Sequence, residues 1–337
     1  MASFKSYENG LTIGRGGRGG ARPTKRGAVT GWTRDSVRRH KAKLYAVEVE
    51  DLDGIGVGIT LTLRRTPATQ DEWSRLVKAL LQRLRVAGFT RWHWVVEWQR
   101  RGTPHLHMAV YVGADWTVPS RGRSARAQAR SASTDAPDPD GADPDALART
   151  AGRWVVDEWL RLAVSHEAGR IAQEVVPITG PAGWLKYLSK HASRGVAHYQ
   201  RQGRPPGWTK TGRLYGFGGS WPMREPLEGK VSEVAFWRVR RLVRGYVIAD
   251  ARSQLRAAQD AGRVEVAATM RRRLVWSRHM LRHPDRAISS VRGVSEWVPG
   301  SVSLRMVEWA GWDGTLAEPG QREPIAPRLP AVMPVRR

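Results

Sequence analysis

The sequence predicts an α+β fold, an antiparallel sheet with helices packed on one face. Two observations carry that expectation. Apolar residues recur with period two in several short β-branched runs, as in half-buried strands, and with period 3.6 in longer segments, as in amphipathic helices. These runs follow one another as strand, strand, helix, strand, strand, helix, strand, helix, an order that suits an antiparallel layer fold better than a doubly wound parallel sheet.

Residues 1–40 are rich in Gly and Arg around Gly14-Arg15-Gly16-Gly17-Arg18-Gly19-Gly20. That composition predicts a flexible basic arm. An ordered domain is expected over 41–225. Leu44–Glu50 alternates as a strand, Asp53-Gly54 marks a turn, and Val57–Arg64 is a second strand. Thr69 or Asp71 can cap a helix carrying Trp73, Leu76, Val77, Leu80, Leu81 and Leu84, with Gly88 as its stop. Thr90–Trp98 and His105–Val112 form a hairpin. Residues 117–149, with their Asp-Pro repeats, read as a disordered insertion. A helix bearing Trp154, Val155, Trp159 and Leu162 follows, then a strand at Gln173–Ile178 and a helix at Gly183–Arg194. Residues 230–310 are expected to be a mostly helical basic region, and 311–337 a Pro-rich tail.

The chain has 337 residues, with 56 basic against 31 acidic side chains and a net charge of +25. So large a surplus points to a polyanionic partner, nucleic acid above all. Cysteine is absent, which excludes disulfides, thiolate metal sites and a cysteine nucleophile. No apolar run is long enough to cross a membrane and the N-terminus lacks a signal-peptide core, so a soluble protein of the cytoplasm is expected. Only nine of the basic residues are lysine, which gives each lysine some added interest.

The chemistry concentrates in Glu97-Trp-Gln-Arg-Arg-Gly-Thr-Pro-His105-Leu-His107. In a tight hairpin centred on Arg101, Glu97 pairs opposite His105, and His105 and His107 share one face. Two imidazoles and a carboxylate then converge, a donor set for a divalent metal with open positions. Further on, Tyr187 and Lys190 stand three apart on a helix and share a face. A tyrosine oxygen can attack phosphorus, and a neighbouring lysine can neutralise the phosphate. A two-histidine-one-carboxylate iron oxygenase shares the metal pattern but leaves the basic charge and Tyr187 without a role. A non-enzymatic binding protein, its tryptophans serving as stacking platforms, is another reading.

Ile59-Thr-Leu-Thr-Leu63, Gly102-Thr-Pro-His-Leu-His-Met108 and Tyr187-Leu-Ser-Lys190 occur in the order of the three motifs of HUH endonucleases. Over residues 42 to about 220 the chain resembles rolling-circle replication initiators of phages and plasmids. Gly212-Arg-Leu-Tyr-Gly216 resembles an element that often follows the tyrosine helix. The resemblance implies an RRM-like, ferredoxin-like sheet and metal-dependent nicking and joining of single-stranded DNA at an origin through a 5′-phosphotyrosine. It implies Mg²⁺ or Mn²⁺ held by His105 and His107, with Glu97 in the usual place of the third ligand, Tyr187 as nucleophile and Lys190 as its partner. A single-tyrosine transposase shares this chemistry. Position 186 is Lys and 191 is His, so one tyrosine is expected in the helix, with Tyr199 or a second copy of the chain as a further nucleophile. No phosphate-binding Gly-x-x-x-x-Gly-Lys-Ser/Thr loop is present, so a host helicase, as well as a host polymerase, is the expected partner, and no membrane.

Overall fold

The computed structural model describes residues 1–15, 28–119, 143–185, 187, 200, 203–279 and 293–312. In chain order the elements begin with β1 (Ala2–Ser6), β2 (Gly10–Arg15), α1 (Arg34–Tyr45), β3 (Ile55–Leu61), α2 (Gln70–Val86), β4 (Arg91–Trp98) and β5 (Pro104–Val112). There follow α3 (Pro144–Leu162), β6 (Glu174–Pro177), β7 (Tyr215–Gly219), β8 (Leu227–Val231), α4 (Glu233–Asp260), α5 (Val264–His279), β9 (Val294–Trp297) and α6 (Gly300–Trp309).

Five strands form one antiparallel sheet in the order β6-β3-β5-β4-β7. The succession β3–α2–β4–β5–α3–β6 with the last strand beside the first and β5 between β3 and β4 is the ferredoxin-like arrangement expected from the sequence, with β7 added beyond β4. Strand alternation decides the faces. Val57, Ile59 and Leu61, the tryptophans at 92, 94 and 98, and Leu106, Met108 and Val110 pack on one side against Trp73, Val77, Leu80 and Leu84 of α2 and Val155 and Trp159 of α3. Trp73 and Trp159 meet edge to face at 5.9 Å, and the Trp159 indole N–H donates to the Thr62 carbonyl at 3.2 Å, so its polar atom is satisfied in the core. Of the two capping candidates for α2, Thr69 accepts from Glu72 N, and Gly88 follows the helix with φ 81°.

The second sheet, β8-β1-β2-β9, joins the two ends of the chain and corrects the reading of residues 1–40 as an arm. Phe4, Leu11 and Ile13 are buried with Val231, Phe236, Val239 and Val243 beneath α4. Their alternation is a strand pattern hidden within a glycine-rich composition, and α1 also starts inside this stretch. The glycine–arginine run at 16–27 lies outside the described residues. The 230–310 region is helical at α4, α5 and α6 but also contributes β9, which pairs with β2.

The strand expected at Leu44–Glu50 is not formed. Leu44 and Tyr45 end α1, and Val47 makes an isolated bridge to Met223. Burial runs through Leu44, Tyr45, Ala46 and Val47 without alternating, because this corner is enclosed on all sides. The expected insertion also ends sooner. Asp143 caps α3 by accepting from Asp145 N at 3.0 Å, with Pro144 in the first turn, so the last Asp-Pro pair starts a helix. Residues 120–142 and the tail from 313 onward lie outside the described residues.

Helix α1 ties the sheets together. His40 reaches His93 of β4, while the Lys41 ammonium donates to the Ser295 carbonyl at 2.7 Å and Tyr45 packs edge-on against Trp297. Among the described residues no helix is long and apolar enough to cross a membrane.

Candidate active site

The β4–β5 hairpin pairs Glu97 with His105 and Val95 with His107, the register expected from the sequence. The turn closes through Gln99 N to Thr103 O and Gly102 N to Gln99 O, both at 2.9 Å. Gly102 sits at φ 82°, a conformation that side chains resist, and so keeps the hairpin tight. Because Trp98, Leu106 and Met108 point into the helical core, Glu97, His105 and His107 share the opposite face.

There the two imidazole rings lie 4.5 Å apart, centroid to centroid. His107 Nε2 is 3.5 Å from Glu97 Oε2. The carboxylate is 1% exposed, and Gln200 donates to the same oxygen at 3.1 Å. The far nitrogen of each imidazole also has a partner. Thr60 Oγ1 on the neighbouring strand is 3.2 Å from His107 Nδ1, and Gln99 Nε2 is 3.5 Å from His105 Nδ1. Such contacts fix ring orientation and leave the Nε2 atoms to face the site. Among the described residues, no group of three His, Asp or Glu side chains stands at metal-binding spacing; here Glu97 and His107 contact each other directly.

Tyr187 comes to this face from a separate, helical stretch at 181–185 and 187. Its ring is 6.2 Å from His107, edge to face, and 37% of the residue is exposed. Its seat is built by Trp184, which packs at 4.9 Å against Tyr187 and reaches down to β3. A Cβ on Gly58 of β3 would fall 1.4 Å from Trp184 Cζ2, so only glycine admits the indole there. Gly58, Thr60, Glu174, Trp184 and Tyr187 line an open cleft of about 310 Å³. A second cleft, about 440 Å³, continues past the hairpin between Thr62, Arg64, Gln99, Arg101 and the exposed Ile171. Lys190 and Tyr199 lie outside the described residues.

Another histidine pair shares this sheet face without joining the site. His93 Nε2 and His40 Nε2 are 2.8 Å apart in full burial, stacked with Tyr215 and Phe217. Burial, reinforced by His40 and Lys43, holds the His93 imidazolium pKa well below 6.5, so His93 is neutral and engaged.

Sequence reasoning missed Thr60, Gln99, Gln200, Gly58 and Trp184. Thr60 had a usable signal, since it follows the same two-residue alternation as the histidines once β3 and β5 are paired. A family model of replication-associated proteins, the ORF2 and phage gene-2 type, matches residues 57–192, from β3 to the tyrosine segment. The replication-associated protein of Pseudomonas phage Pf3 is 35% identical over 313 residues, covering 91% of this chain and 96% of the phage protein. Two Xylella fastidiosa proteins named for replication are similar: that of strain 9a5c is 36% identical over 87% of this chain and 93% of its own, and that of strain Temecula1 34% identical over 84% and 95%. No solved structure matches the chain.

Proposed function

Because the chain belongs to the family of replication-associated proteins that includes the phage Pf3 protein, we propose that it starts rolling-circle replication of a phage or plasmid by nicking and rejoining single-stranded DNA at an origin. The observation that supports this most is the meeting of Tyr187, 6.2 Å ring to ring, with a histidine of the Glu97–His105–His107 face from a distant part of the chain.

The donor set fits a hard or borderline divalent cation, Mg²⁺ or Mn²⁺, in kind. His105 and His107 would hold it through their Nε2 atoms, with Glu97 as the anionic ligand. A cation bound there supplies Lewis-acid polarisation of one phosphate. The chain's own residues do the rest. Thr60 and Gln99 keep the imidazoles turned toward the site. Trp184 holds Tyr187 above it. The tyrosine oxygen attacks phosphorus as its proton leaves, the bond to the 3′ oxygen breaks, and that oxygen takes up a proton. A phosphodiester is exchanged for a phosphotyrosine diester, so rejoining needs no external energy, and the free 3′ hydroxyl can prime a polymerase. Lys190 is assigned the phosphate's negative charge. The chain carries no motor loop, so a host helicase would open the duplex and a host polymerase extend the 3′ end, in the cytoplasm of a bacterial host.

Single-stranded origin DNA incubated with the protein and Mn²⁺ should yield a covalent protein–DNA adduct on a denaturing gel. Tyr187→Phe should abolish it, and EDTA or His105→Ala should reduce it at least a hundredfold, about 3 kcal/mol in the barrier. An adduct that persists in Tyr187→Phe removes Tyr187 from the role of nucleophile.

A further inference from the structure

The α4–α5 hairpin lies outside the ferredoxin-like sheet, and its surface is unusual in two respects. Between residues 233 and 279 there are eleven arginines against four acidic residues. On α5, moreover, Trp276 is 60% exposed and Val275 56% exposed, although α5 has a partner helix available to bury apolar groups.

The periodicity of α5 explains the division. Ala267 and Ser277 are its buried positions and face α4. Arg273 turns inward as well and fastens the hairpin, donating to Asp250 at 2.8 Å and Gln254 at 3.1 Å. Arg272 and Trp276 stand one turn apart on the outer face, as do Arg271 and Val275. Arg271, Arg272 and Arg278 are exposed, and among the described residues none of the three has a carboxylate partner. Arg272 instead donates along its own helix to Thr269 at 3.1 Å, which keeps its guanidinium beside the tryptophan stripe. Glu265 is the single acid of α5.

Cations without counter-charges attract a phosphate backbone. An exposed indole between them offers what the backbone of a duplex does not require and a single strand does, a flat surface for an unpaired base. We propose that the outer face of α5 is a second DNA-binding surface, on which Arg271, Arg272 and Arg278 engage the phosphates of a single strand and Trp276 stacks on one of its bases. It would hold the displaced strand, or strand entering the site, without reading its sequence. The inference rests on the reading of the chain as acting on single-stranded DNA, and it assigns a role to a surface that the nicking chemistry leaves unused.

Binding can be measured apart from cleavage, with the full chain carrying Tyr187→Phe, in EDTA, by anisotropy of a labelled mixed-sequence 20-mer and of its duplex. Trp276→Ala should weaken the single strand about fivefold or more, the value of one stacked base at about 1 kcal/mol, and leave the duplex nearly unchanged. Trp276→Phe should retain most of the affinity, and Trp309→Ala, at an exposed tryptophan away from this face, should change nothing. Replacing Arg271 and Arg272 by Ala should flatten the salt dependence by about 1.4 log units per log unit of salt, two phosphate contacts on a single strand. Unchanged single-strand binding in Trp276→Ala overturns the proposal. So does an equal loss for duplex, or a dimer in sedimentation that Trp276→Ala converts to monomer, which would make a second copy the occupant. A failed nicking assay with this binding intact would strike only the catalytic reading.

Discussion

Gly58 and Thr60 sit two residues apart on β3 and prepare the two halves of the site. Gly58 leaves the notch that Trp184 fills, and Thr60 holds His107 by its outer nitrogen. Gly58→Ala would drive a methyl into the indole and shift the tyrosine segment. We expect adduct formation to fall at least tenfold, with a loss of stability of about 1–3 kcal/mol from overpacking, while affinity for single-stranded DNA, measured by anisotropy, stays within a factor of three. Equal rates for Gly58→Ala and the parent would show that Trp184 does not set the position of Tyr187. How far such roles can be read from sequence differs by residue. The pairing of Glu97 with His105 was legible because a hairpin register follows from where its turn is centred, and Gly102 marks that turn. Gly58 was not legible as a seat. A glycine in a strand announces that something approaches closely, but the partner lies 126 positions away and nothing local names it.

Among the elements, β1 shows how composition can mislead. The first fifteen residues precede a glycine–arginine run and share its low complexity, yet β1 occupies an interior position of its sheet, between β8 and β2. Removing residues 1–15 would leave β8 and β9 without partners and expose Val231, Phe236 and Val239 of the second core. We expect the truncated protein to aggregate or to lose its cooperative melting transition, whereas a dispensable arm would leave melting unchanged. The strand alternation of Phe4, Leu11 and Ile13 was present in the sequence, and the turn Glu8-Asn9-Gly10 between them is a hairpin signal. Their partners at 227–231 and 294–297 were too distant for pattern reading. By contrast, α2 and the β4–β5 hairpin carry their own caps, periodicity and turn, and were legible in place.

For the molecule as a whole, the buried His40–His93 pair makes stability depend on mild acid. His93 is held neutral in the fold, its pKa well below 6.5 through burial and then through His40 and Lys43. In the unfolded chain the imidazole titrates near 6.5. Below that pH the unfolded state therefore binds more protons than the folded one, and stability falls as pH falls, by up to about 1.4 kcal/mol per pH unit. The contribution is fully present above about pH 7. Thermal melts at pH 7.5 and 5.5 should differ by a few degrees, the acid sample lower. In His93→Phe, which retains a stack with Phe217, the difference should shrink. An acid sample that melts no lower than the neutral one would refute the assignment. Because α1 carries His40 to one sheet while Lys41 and Tyr45 reach β9 of the other, the weakening should be felt by both sheets.

The pairing of β2 with β9 also has a consequence for how the protein is made. A ribosome completes the five-stranded sheet once it has passed residue 219, and that sheet then has all its strands to hand. The other sheet must wait until Trp297 has emerged, its first two strands having been synthesised before everything else. During that interval the leading hairpin offers two unpaired edges to any neighbouring nascent chain. Translation speed through the last third of the message therefore bears on yield, and a product released early carries one finished sheet beside an unfinished companion.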